Sequence, residues 1–101
     1  MKKLALNIYL NEADMSGDLK LHEVLVRRLL HLEVAGATVM RGLMGYGKHG
    51  KVHKKRLFGV SDDRPVVITA IDDEARIRGV LAEVKSLVRE GLITIQEVEE
   101  I

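Results

Sequence analysis

The segment Pro65–Ile71, PVVITAI, constrains this chain more than any other stretch, because it is an almost continuous apolar run that reads as a strand. Successive side chains of a strand leave by opposite faces, so Val66 and Val67 point apart, as do Ile68 and Thr69. A fold that accepts this segment has to shield both faces of a sheet.

The other segments supply the shielding for one face. Lys3–Leu10 alternates, with Leu4, Leu6, Ile8 and Leu10 on one side and Ala5, Asn7 and Tyr9 on the other, the pattern of a half-buried strand. Asn11–Lys20 contains Asp14, Ser16, Gly17 and Asp18 and predicts a loop whose last members cap the next helix. Over Leu21–Val34 the residues Leu21, Leu25, Leu29 and Leu32 form one stripe at helical spacing, with Gly36 as the expected breaker. Ala37–Met44 predicts a second strand, interrupted by Gly42. Beyond Ile71, the acids Asp72, Asp73 and Glu74 favour the start of a second helix, which carries Ile77, Val80, Leu81, Val84, Leu87 and Val88 as far as Gly91. Leu92–Val98 closes as a strand.

The order βαββαβ predicts an α+β, ferredoxin-like fold, with two helices on one face of a four-stranded antiparallel sheet. The second face, bearing Tyr9, would be a large apolar patch on a monomer. A homo-oligomer that buries it is the economical cover; a bent loop or the C-terminal tail is the other. With 101 residues, 1–101 are expected to form a single domain.

Several classes are excluded or disfavoured by composition. Cysteine is absent, which removes disulfides, thiolate metal sites and a cysteine nucleophile and suits the cytoplasm. No run approaches the roughly 18 apolar residues of a membrane span. The apolar run in MKKLALNIYL is short and broken by Asn7 and Asn11, so a mature soluble protein is expected. The net charge is only +1, and Tyr9, Tyr46 and Phe58 are too few aromatics for a base-stacking platform, so no nucleic-acid partner is expected.

Chemistry concentrates between Gly36 and Arg64. In Lys48–Arg56, KHGKVHKKR, every residue except Gly50 and Val52 is basic or histidine. Such a loop either binds phosphates or an acidic partner, with salt-sensitive attraction, or is simply solvated. Gly45 and Gly47, around Tyr46, either present backbone N–H groups to an anion or mark a strand bend. Arg41, inside a predicted strand, needs a carboxylate or a ligand unless it points outward at a sheet edge. His49 and His53 have the i, i+4 spacing of a helical metal pair, but the glycine between them and the surrounding lysines oppose a bound cation, so no metal is assigned. Asp62, Asp63, Asp72, Asp73 and Glu74 are explained by turns and a helix start. No serine or threonine has a recognisable histidine–acid partner set, so an enzyme is not expected.

GATVMRGLMGYG, the basic loop with His53, LFGVSDDRPVVITAID and EGLITIQEVEEI together closely resemble the PII-like family of domain of unknown function 190, distantly related to the nitrogen-regulatory PII signalling proteins. The resemblance covers nearly the whole chain. It implies a trimer with sheets facing a central axis, nucleotides in the clefts between subunits, and a long loop that contacts a partner. Carried over residue by residue, Gly45, Tyr46, Gly47, Lys48 and His49 fall at the base of that loop, and Thr38 on a strand threonine near the nucleotide. Gly91 runs directly into LITI, so the second phosphate-binding loop of PII proteins is not matched; nor are their C-terminal basic residues.

The expected function is a cytoplasmic homotrimeric sensor and adaptor for a small anionic ligand, an adenine nucleotide being the first candidate, with no other cofactor. Thr38, Arg41, Gly45, Tyr46, Gly47 and Lys48 are the expected ligand-binding residues. His53, Lys54, Lys55 and Arg56, in the loop 48–64, are the expected partner-binding ones. A membrane transporter is a reasonable partner class. The alternative is a trimeric structural or metal-binding protein resembling the CutA group, without a nucleotide site.

Overall fold

The computed structural model describes residues 2–47, 53–54 and 63–101. Its centre is made by the two segments with the strongest strand signals, β1 (Lys3–Asn11) and the strand Pro65–Asp73. Between them, in chain order, come β2 (Met15–Ser16), β3 (Leu19–Lys20), α1 (Leu21–His31), β4 (Gly36–Arg41), β5 (Met44–Gly45) and β6 (His53–Lys54). Pro65–Asp73 is therefore β7, followed by α2 (Glu74–Leu87) and β8 (Leu92–Val98). The main sheet has the order β4-β7-β1-β8, and every pairing in it is antiparallel. This is the expected ferredoxin-like α+β architecture, with the short pairs β2–β3 and β5–β6 added at connections.

Alternation decides what is buried. Leu4, Leu6, Ile8 and Leu10 of β1, with Val66, Ile68 and Ala70 of β7, face Leu21, Leu25 and Leu29 of α1 and Ile77, Val80 and Val84 of α2 in one core. Burying each such Leu or Ile side chain contributes about 1.5–3 kcal/mol. Both stripes face the core as their periodicity predicts, except that Leu32 and Val88 fall just beyond the helix ends and are only partly buried.

Four local expectations need correction. The 11–20 segment is not merely a loop, since β2 and β3 pair within it. It also supplies no side-chain cap to α1: Lys20 occupies the cap position, and the Leu21 N–H donates instead to the Asp14 carbonyl at 2.8 Å. Gly36 does not end α1. The helix stops at His31, and Glu33 takes the left-handed conformation (φ 64°) that lets its N–H reach the Leu30 carbonyl and the Val34 N–H reach the Leu29 carbonyl, each at 3.0 Å. These two bonds satisfy carbonyls that the last turn would leave bare, and Val34 joins Leu29 in the core. Lastly, α2 ends at Leu87 rather than Gly91, because Val88 is already extended (ψ 101°).

The face away from the helices is organised in rows. Cross-strand register aligns Met40, Val67, Tyr9 and Leu92 in one row and Thr38, Thr69, Asn7 and Thr94 in the next. The first row is apolar and lies at the end of the sheet nearest the loop; Tyr9, Met40 and Leu92 are exposed. In the second row the Thr69 hydroxyl donates to Asn7 Oδ1 at 2.8 Å. Neither helix covers this face.

Candidate functional site at the base of the loop

The chain leaves the sheet after Arg41 and returns at Pro65, and backbone geometry closes this gap tightly. The Gly42 N–H donates to the Pro65 carbonyl and the Glu12 N–H to the Arg64 carbonyl, both at 2.7 Å. The Ala13 N–H donates to Asp63 Oδ1 at 3.2 Å. Three segments distant in sequence, 11–14, 41–42 and 63–65, thus form one platform. The Asp63 carboxylate thus makes a tertiary contact across 50 positions, where the sequence suggested a local turn role; Asp62 lies outside the described residues.

Arg41 has found a carboxylate. Its Nη2 donates to Glu12 Oε2, while about half of the Arg41 side chain stays exposed (51%) and that of Glu12 is mostly covered (17%). The other oxygen, Glu12 Oε1, and Arg64 Nε are buried without a hydrogen-bond partner among the described residues. Glu12 is the residue that sequence reading missed. It sits just past the first strand, in a segment legible only as loop, and its partner is 29 positions away.

The glycines here have a packing reason. A Cβ on Gly42 would stand 2.9 Å from Cγ of Pro65, and one on Gly45 would stand 3.3 Å from the same atom. The proline ring occupies the space that side chains would need. Neither Gly45 nor Gly47 has a positive φ, so the bend comes from close approach rather than from left-handed backbone. At Gly47 none of the described residues lies within 4 Å of an added Cβ. Tyr46 is exposed, as are Leu43 and Met44, which gives the described part of the loop base an apolar surface that the glycine and charge pattern did not announce.

The expected ligand residues are only partly brought together. Arg41, Gly45, Tyr46 and Gly47 lie at the loop base, but Thr38 pairs with Thr69 and Arg41 with Val66, so their side chains leave β4 on opposite faces. Lys48, His49, Lys55 and Arg56 lie outside the described residues; His53 and Lys54 are described as the strand β6, with Gly45 opposite His53 and Met44 opposite Lys54. Among the described residues no group of three or more His, Cys, Asp or Glu is arranged to hold a metal. No described helix is long and apolar enough to cross a membrane.

A second polar centre lies at the opposite end of the sheet. Asp72 accepts the Asp73 N–H on Oδ1 at 2.7 Å and the Ala35 N–H on Oδ2 at 2.9 Å. These bonds, that of Asp73 first, hold its carboxyl below the usual carboxylate range. Lys3 bridges Asp73 at 2.9 Å and Glu100 at 3.3 Å, which raises its ammonium pKa. An open depression of about 730 Å³ here is lined by Lys2, Asp72, Asp73, Glu74 and Arg76 among others. Its mixed charges are largely spent on one another and on the backbone, so the loop base is the better candidate for an anion.

Residues 3–100 match the model of the family DUF190, described as "Uncharacterized ACR". The chain belongs to the DUF190 family. Its relatives include a UPF0166 protein of Aquifex aeolicus (strain VF5), 36% identical over 98% of this chain and 93% of the relative. A UPF0166 protein of Methanocaldococcus jannaschii is 33% identical over 96% of this chain and 90% of its own length. Among solved structures, this DUF190 chain is similar to CPII, a nitrogen regulatory PII-like protein from Thiomonas intermedia K12, bound to ADP, AMP and bicarbonate. The TM-score is 0.71, with 23% identity over 97% of this chain and 87% of that one. CPII bound to ADP and bicarbonate gives a TM-score of 0.66 at the same identity and coverage. The DUF190 chain thus has a PII-like fold.

Proposed function

We propose that this DUF190 protein is a cytoplasmic PII-like homotrimer that takes a small anionic ligand, an adenine nucleotide, between subunits and regulates a partner protein through the loop 48–64. It is a sensor rather than a catalyst. The observation that carries the reading is the loop base: a half-exposed arginine fixed on a rigid edge strand, in a fold shared with PII-like proteins solved with ADP, AMP and bicarbonate. The sheet face that neither helix covers, with its row Met40, Val67, Tyr9 and Leu92, supports burial between subunits. Ligand at the base favours one loop arrangement over another, and His53, Lys54, Lys55 and Arg56 present the partner with positive charge. A membrane transporter is the partner class we favour.

Calorimetric titration with ATP, ADP and AMP, with and without magnesium, tests the reading on the wild type and on Gly47→Asp. None of the described residues lies within 4 Å of a Cβ added at position 47, so the variant adds negative charge with no clash among them. Saturable binding that is lost in Gly47→Asp is the expected result. A trimer that binds none of them would remove the nucleotide reading.

One observation favours a second reading, a CutA-like trimer without a nucleotide site. Gly91, where PII proteins have a second phosphate-binding loop, is spoken for structurally, because a Cβ there would stand 2.7 Å from the Tyr9 carbonyl oxygen. Stoichiometric copper or zinc binding abolished by His53→Ala would favour this alternative.

A further inference from the structure

Glu12 touches both sides of the loop's base: its N–H holds the carbonyl of Arg64, just before β7, at 2.7 Å, and its carboxylate holds Arg41 at the end of β4. We propose that Glu12 is a specificity-determining residue, a built-in competitor that holds the Arg41 guanidinium in place when the site is empty and sets how tightly Arg41 receives a phosphate or carboxylate. The inference rests on the reading above, that an anion binds at the loop base.

A guanidinium offers five N–H donors in a planar fork, and here one of its terminal nitrogens is engaged by Glu12 while half of the side chain remains open. An incoming anion therefore has donors to use without leaving the sheet edge. It also meets a carboxylate of like charge beside it, which opposes binding. Among the described residues Glu12 Oε1 is buried without a partner, so an incoming anion has to displace a carboxylate whose side-chain partner there is Arg41, while the backbone bond to Arg64 keeps residue 12 in position. Glu12 thereby weakens all anions and makes Arg41 select those able to outcompete a carboxylate.

The experiment is titration of ADP into wild type, Glu12→Gln, Arg41→Gln and the double variant, at one fixed salt concentration. Glu12→Gln removes the charge, keeps the size and leaves the backbone bond; it is expected to bind ADP about two- to fivefold more tightly, the range of a partly exposed ion pair. Arg41→Gln is expected to lose most of the affinity, and adding Glu12→Gln to it should bring no further gain. Glu12→Ala serves as a second variant with the same expected direction. Wild type that binds ADP with an affinity unmoved by either Glu12 substitution overturns the competitor role alone. So does an equal gain in the Arg41→Gln background, which would mean that Glu12 acts by general charge. Wild type that binds none of ATP, ADP and AMP overturns the proposed function and this inference together; where ATP or AMP binds and ADP does not, that nucleotide replaces ADP in the four titrations with the same expected outcomes.

Discussion

Gly91 packs directly on the backbone of Tyr9: a methyl group at Gly91 would lie 2.7 Å from the Tyr9 carbonyl oxygen, 2.9 Å from Val88 Cγ1 and 3.2 Å from Leu10 Cδ2. The first contact is with main chain in the centre of the sheet, which cannot swing aside. Gly91→Ala is therefore expected to destabilise the fold by about 1–3 kcal/mol, the usual cost of overpacking. Urea unfolding measures it, and an unchanged midpoint would show that the turn into β8 relaxes freely.

Glu33 offers the opposite opportunity. A left-handed backbone costs a residue with a Cβ about 1–2 kcal/mol, which glycine avoids while giving up some chain entropy. Glu33→Gly should raise stability by roughly 0.5–1 kcal/mol, since the ion pair it gives up, to Arg76 at 3.9 Å, is exposed and of small value. A lower melting temperature in the variant would contradict the assignment of strain to this position.

Acid should act through Asp72. Its folded carboxyl titrates below the ordinary value, so the unfolded chain takes up the proton first as pH falls. The stabilisation is complete above the ordinary carboxylate range and is lost as pH drops through the lowered folded value. Asp72→Ala removes the acceptor for Ala35 and Asp73 and is expected to cost about 1 kcal/mol near neutrality. Unfolding midpoints followed from about pH 7 to about pH 3 should then show wild type converging on the variant; a gap that stays constant would mean that the loss is one of packing.

For self-association, Tyr9→Glu is the sharpest probe. Tyr9 is 43% exposed in the centre of the apolar row on the face that neither helix covers. With that face buried between subunits, a charge there should yield a folded monomer. Sedimentation with circular dichroism reads both properties, and an intact trimer would move the interface elsewhere.

The long elements were legible because their signals are local. Alternation placed Leu4, Leu6, Ile8 and Leu10 on one face of β1, and helical spacing placed Leu21, Leu25 and Leu29, with Ile77, Val80 and Val84, against it. The two-residue strands β2 and β3 carry no period to detect. The end of α1 was misjudged because glycine is the usual left-handed residue, and Glu33 does that work three positions before Gly36. At the site, Arg41 was legible as a charge in need of a partner. Glu12 was not, since only the register of β1, β4 and β7 brings it across 29 positions. The link from Ala35 to Asp72 spans 37 positions and was hidden for the same reason.

Cross-strand register also sets where the molecule can be handled. Lys3 pairs with both Asp73 and Val98 at one end of the sheet, whereas Asn11 faces Pro65 at the other, about 26 Å away along β1. A tether, dye or fusion attached before Lys3 or after Val98 thus leaves from the same corner, remote from Arg41. Immobilised by either route, the protein would present its loop base outward, an orientation suited to surface-based capture of partners.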